Sequence, residues 1–265
     1  MPRGISSVSA ACLLTAGFLW AQPPGPPSVK GLDWNTDAIT VTGIGQPPPN
    51  PANLAQARAM TIRGALGAAA QNLMTIIQAI PIQGDATVGG LMETNEAVRE
   101  KIESLIKGAW QSGPPNYRPD GSIELTVFVK RSHVAASVLP EGGFADSMPP
   151  PGSPPAGAHS GLLIDARGVG LSSALACRVL DDKGREVYGP GLVTREYAVR
   201  NGVVAYGREP LKDRVGGNPL QVKGSGLAGA NRTDVILSAE DAERVRSASQ
   251  VGNFLSQGRV FILID

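Results

Sequence analysis

From Leu54 to Ile77 an apolar or small residue returns at helical spacing, at Leu54, Ala57, Thr61, Ala65, Ala69, Leu73, Ile76 and Ile77. Asn50-Pro51 ahead of it reads as a helix start, the asparagine capping and the proline preset at the first helical position. Small residues dominate the stripe, so the helix it predicts must lie close against its cover, and a sheet is the partner expected. Gly64 and Gly67 each cost about 1 kcal/mol relative to alanine inside a helix; tight packing is the reason the sequence offers for keeping them. Ala38 to Gly45, AITVTGIG, alternates as a strand and is stopped by Pro47 to Pro49.

After that helix, Ile80 to Val88 reads as a strand interrupted at Gly84. Thr94 or Asn95 caps a second helix with Val98, Ile102, Leu105 and Ala109 on one face. Pro119-Asp120-Gly121 is a turn, and Ile123, Leu125, Val127 and Val129 alternate with Glu124, Thr126 and Lys130 as a half-buried strand. The first half is therefore expected to be β-α-β-α-β. Leu139 to His159 contains PPPGSPP and predicts a linker.

The second half opens on Gly161 to Asp165, then Leu175 to Leu180 and Val187-Tyr188, with further strand candidates at Val203–Tyr206, Leu220–Lys223 and Thr233–Leu237. Ser238 caps a helix over 239–257, with Asp241 placed for a capping box. RVFILI, from Arg259 to Ile264, has the apolar content of a central strand. The expected class is α+β: residues 34–138 as one domain, 139–159 as linker, and 160–265 as a mixed, β-rich domain with one late helix.

Met1-Pro2-Arg3, the apolar run from Val8 to Trp20 and the Leu19-Trp20-Ala21 junction read as a secretory signal peptide over 1–21, followed by a proline-rich tether over 22–33. The run is shorter than the roughly 20 residues of a spanning helix, and no later stretch could cross a membrane. Ser9-Ala10-Ala11-Cys12 mimics a lipobox, but the apolar core continues past Cys12, so the mature chain is expected to start at Gln22 without lipid. Cys177 is then the only cysteine, which leaves no internal disulfide and no thiolate set for a metal. Lys and Arg number 24 against 23 Asp and Glu, with no basic block, so nucleic acid and anionic membrane surfaces lack their electrostatic footprint.

No stretch assembles a catalytic set, and neither a cofactor nor a metal is expected. Gly224 to Gly229 spells G-x-G-x-x-G, but a strand rather than a helix follows it, which fits a hairpin loop better than a dinucleotide site. Ser104 to Lys107 matches S-x-x-K without its partner motifs. His133 and His159 lie at the linker's edges, and Asn231-Arg232-Thr233 matches a glycosylation acceptor. The candidate ligand or interface residues are Asp165, Arg167, Arg214, Asn218 and Lys223, polar groups beside strands. Asp165 and Arg167 are more often an ion pair tying down a turn than a site.

The blocks WNTDAITVTGIG, AQARAMTIRGALGAAAQNLMTIIQAIPIQGDATV, IKGA and PDGSIELTV resemble the twenty-kilodalton envelope lipoprotein family (LPP type, FlgP-like). GLLIDARGVGL, REVYG, RVGGNPLQVKG and RVFILID are similar to its longer members, which add a C-terminal domain. The resemblance implies a non-enzymatic envelope component, periplasmic or attached to the outer membrane, with other envelope or flagellar proteins as partners. It offers no catalytic residues. The leading expectation is an exported structural protein that works by protein–protein binding and forms homo-oligomers, with Ile123–Val129 as the candidate free edge for strand pairing. The alternatives are a module binding a glycan or small anion in the C-terminal half, and a secreted hydrolase using Asp165 and another acid.

Overall fold

The structure is a computed structural model describing residues 32, 34, 36–150, 152 and 154–265. The expected signal peptide, Cys12 and nearly all of the tether lie outside the described residues. The fold is α+β, as its patterning predicts.

Strand β1 (Ala38–Gly45) is followed by helix α1 (Leu54–Ala79), a hairpin of β2 (Pro81–Gln83) and β3 (Ala86–Thr87), and helices α2 (Val88–Thr94) and α3 (Glu96–Lys107). Short strands β4 (Trp110–Gln111) and β5 (Asn116–Tyr117) then lead to β6 (Ile123–Lys130) and α4 (Arg131–Val138). Asn53 rather than Asn50 caps α1, its Oδ1 accepting from Gln56 N–H at 2.8 Å. The single strand expected at Ile80–Val88 is instead the β2–β3 hairpin, folded at Gly84 with φ of +56° and separate from the main sheet. The first half therefore departs from β-α-β-α-β.

Sheet order is β1-β6-β4, with β5 also on β6, all antiparallel. Strand β6 is thus internal, not the free edge expected of it. Its alternation marks one buried face and says nothing about how many neighbours it has. The outer edge lies on β1, partly covered where Leu32 bridges Ile39 and Asn72 Nδ2 donates to the Thr42 carbonyl at 2.8 Å. Thr61, Ala65, Ala69, Leu73 and Ile77 of α1 are buried against the face of this sheet bearing Ile39, Val41, Leu125 and Val127.

The approach of α1 is set by two strand glycines. A Cβ on Gly45 would lie 2.6 Å from Ala65 N, and one on Gly43 would lie 2.7 Å from Ala69 Cβ. Only glycine allows backbone on backbone at that distance. Gly64 meets the Gly45 Cα at 3.6 Å from its would-be Cβ, whereas Gly67 faces nothing within 4 Å. A distance of 3.6 Å is ordinary van der Waals contact, so close packing requires glycine at neither Gly64 nor Gly67.

The second half comprises β7 (Leu162–Asp165), β8 (Val179–Leu180), β9 (Glu186–Tyr188), α5 (Arg195–Asn201), β10 (Ala205–Gly207), α6 (Lys212–Val215), β11 (Leu220–Ala228), β12 (Asp234–Leu237), α7 (Ala239–Gly252) and β13 (Val260–Leu263). They form a seven-stranded mixed sheet in the order β10-β13-β7-β11-β12-β8-β9. Strands β10, β13, β7 and β11 run parallel, while the glycine-rich run, expected as a hairpin loop, is instead the last part of β11, pairing antiparallel with β12 with an irregularity between Gly224 and Gly226, and residues 229–233 make the turn. β13 is flanked on both sides, and Val260 and Ile262 are buried in the main core. Ser238 caps α7, its hydroxyl accepting from Asp241 N–H at 3.1 Å, and Asn253 ends the helix in the left-handed region.

The two halves share one hydrophobic core running from Ile39 and Ile77 to Tyr188 and Ile262. Ala176 N–H donates to the Ile82 carbonyl at 2.8 Å, and Arg195 donates to carbonyls of Ala136, Leu139 and Pro140. Within the proline-rich stretch Leu139 is buried and Phe144 and Met148 pack against this core; Ala145 N–H reaches the Val193 carbonyl at 2.9 Å. The stretch has too few apolar residues to make a core of its own, but those it has are anchored on the second half. Among the described residues no helix is long and apolar enough to cross a membrane.

Candidate functional site

Parallel pairing splits the five candidate residues between the two ends of β7, β11 and β13. Asp165 and Lys223 are register partners where the parallel pairing of β7, β11 and β13 ends, and Leu263 is the third residue of that row. Alternation puts Leu163, Gln221 and Leu263 on the same sheet face, and Arg167, Asp241 and Arg244 complete a depression of about 410 Å³. Arg167 folds back on Asp165: Nη2 donates to Oδ2 at 2.7 Å, Nε to Oδ1 at 2.9 Å, and the Arg167 N–H to Oδ1 at 3.1 Å. The Arg167 guanidinium holds the Asp165 carboxyl down at about 2. This is the ion pair that fixes the turn after β7. Asp241 and Arg244 pair in the same way at 2.7 Å, which leaves Lys223 exposed with no ion pair among the described residues.

Arg214 and Asn218 sit at the opposite, N-terminal end. Arg214 donates to the carbonyls of Asn201, Gly202, Val203 and Val260 at 3.0–3.3 Å and lies 5.1 Å from the Tyr197 ring. Its charge satisfies the orphan carbonyls at the end of α5. Asn218 exchanges backbone hydrogen bonds with Ser160, donating to its Oγ and accepting from its N–H, both at 2.9 Å. A single cluster of Asp165, Arg167, Arg214 and Lys223 is therefore not formed.

The remaining motifs are structural. His133 is exposed on α4, and the His159 ring lies 3.4 Å from the Asn218 carbonyl. Lys107, the lysine of S-x-x-K, sits at the solvent-exposed end of α3. The side-chain nitrogen of Asn231 in the N-R-T triplet is buried. Cys177 is fully buried, and burial pushes its thiol up to about 12. No group of three or more His, Cys, Asp or Glu among the described residues could hold a metal.

A different surface stands out at the start of α1. The helix overhangs the sheet: β1 ends at Gly45, which packs on Thr61, so the residues from Leu54 to Met60 extend past their cover. Leu54 is 88% exposed, and Tyr117 of β5 is 52% exposed. Between them lies a groove of about 790 Å³ lined by Pro47, Leu54, Arg58, Ile62, Tyr117 and Ile123 among others. The Arg58 guanidinium lies 5.0 Å from the Tyr117 ring centre. Spacing alone assigns Leu54 to the buried stripe. The 26 residues of α1 contain no acid.

Residues 161–265 match the model of a family described as the second domain of Treponema pallidum Tp0624. The match begins at the first residue before β7 and takes in the whole seven-stranded sheet. A comparison with curated proteins finds no match.

Proposed function

We propose that this chain is an exported cell-envelope assembly protein that works by holding another protein subunit, and that the groove at the start of α1 is where it does so. One observation carries the reading: Leu54 and Tyr117 expose apolar surface around a groove that no other part of the described chain fills. Large apolar side chains grouped in one concave place mark interaction sites far more often than scattered ones do. The secretory character of residues 1–21 and the blocks resembling envelope lipoproteins support placement in the periplasm or at the outer membrane. The role is non-catalytic, and self-association runs through the outer edge of β1. Fractionation followed by size-exclusion with light scattering tests this. The wild type is expected in an envelope fraction and in a complex larger than itself, and Leu54→Asp is expected to leave that complex. A wild type that stays monomeric and partner-free while turning over a substrate overturns it.

A second reading is favoured by Lys223, an unpaired cation above the apolar floor of Leu163 and Leu263. It would make the C-terminal half a binder of a small anion or acidic glycan. Calorimetric titration of inorganic phosphate into wild type and Lys223→Gln decides it, since binding in both alike removes Lys223 from the account.

A further inference from the structure

We propose that, granted the assembly reading on which this rests, the α1 groove selects an acidic, apolar peptide segment of the partner protein. Its lining includes two cations, Arg58 and Arg118, and no carboxylate. Arg118 is already neutralised by Glu124 at 2.7 Å. The other nearby acid, Asp120, accepts from the N–H and hydroxyl of Ser122 at 2.9 and 2.6 Å. Arg58 makes no ion pair among the described residues and is held at the groove wall over Tyr117. The next cation along the helix, Arg63, is exposed and also without an ion pair. Asp120 stays ionised beside Arg118, so the groove itself presents apolar contact together with one cation, Arg58, that no ion pair among the described residues offsets.

A carboxylate beside Arg58 gains a charge-assisted, two-pronged hydrogen bond. Apolar neighbours that exclude water strengthen it. Leu54, Ile62 and Tyr117 meanwhile offer contact for bulky side chains flanking that acid. A second copy of the same face is a poor occupant, because it would bring Arg58 and Arg63 against their own kind. A protein segment is favoured over a lipid surface because the site is a groove, with Arg58 on its wall rather than in a plane of cations.

The test is selection of phage-displayed random dodecapeptides on the full chain and on the Arg58→Glu and Leu54→Asp variants, each checked for folding by circular dichroism. Both residues are exposed, so the fold is expected to survive. Peptides enriched on the wild type should carry Asp or Glu beside bulky apolar residues, and replacing those acids by lysine should weaken binding about tenfold or more. On Arg58→Glu the preference should invert toward Lys and Arg, and Leu54→Asp should abolish enrichment. Leu54-dependent peptides without acids, unaffected by Arg58→Glu, overturn the charge selection and leave the docking reading standing. An absence of Leu54-dependent peptides, or binding only to vesicles of anionic phospholipid, overturns both.

Discussion

Replacing Gly45 by alanine should lift α1 off its sheet. The new Cβ would run into the Thr61 carbonyl oxygen, closer still than the 2.6 Å it would leave to the backbone nitrogen of Ala65, and ordinary contact begins near 3.4 Å, so the helix must retreat by well over about 0.8 Å. The opposing atoms are backbone, and no side-chain rotation can relieve the clash. Retreat loosens the packing of Ala65, Ala69, Leu73 and Ile77 against Ile39, Val41 and Val127. Overpacking of this kind costs about 1–3 kcal/mol. In a domain of this size that lowers the melting temperature by roughly 2–4 °C per kcal/mol. Gly43→Ala should cost a similar amount, and adding Ala69→Gly should not rescue it, because the tightest clashes are with the Ala65 carbonyl and the Ala69 backbone nitrogen. Gly67→Ala in the same helix has open space and should stabilise by up to about 1 kcal/mol. Circular dichroism during thermal or urea denaturation reads all four. A Gly45→Ala protein as stable as wild type would refute the close-packed helix.

The Arg178–Asp234 pair, 2.5 Å apart with the Asp234 side chain fully buried, should be far more sensitive than exposed pairs: Asp234→Ala should cost about 3–5 kcal/mol in urea denaturation, against under about 1 kcal/mol for Asp241→Ala. Asp165, held at about 2 by Arg167, binds fewer protons folded than unfolded between about pH 4 and pH 2. Its contribution is present above pH 4 and lost as pH falls toward 2. The stability gap between wild type and Arg167→Gln, small because the pair is partly exposed, should therefore close over that window. In a Cys12→Ser chain, Cys177 should stay silent to a thiol reagent at pH 8 until urea unfolds the protein, since burial pushes its thiol up to about 12.

What could be read from residues and what could not divides on physical lines. The small-residue stripe announces a close helix–sheet contact, because helix periodicity is a local property. It cannot say where the sheet ends, so Leu54 counts as buried although the helix starts about 10 Å before its cover at Thr61. The glycines that matter, Gly43 and Gly45, lie on the strand, and an isolated strand glycine does not name its partner. RVFILI reads correctly as a central strand because continuous apolar character requires two covered faces. The Asp165–Arg167 turn is legible because its partners are two residues apart. Arg214 is not, because its role depends on α6 meeting the end of α5 in space. The internal position of β6 was likewise out of reach, since its neighbours on the side away from β1 are the two-residue strands β4 and β5, too short to leave a pattern.

The central claim is that a protein partner sits in the α1 groove. A photo-crosslinking residue placed at Leu54 in the full chain, illuminated in intact host cells, tests it most directly. The account predicts a discrete protein adduct from position 54, lost when Arg58→Glu is added and absent when the probe is moved to exposed Gly142, away from the groove. No adduct at position 54, or equal labelling from both positions, would contradict it.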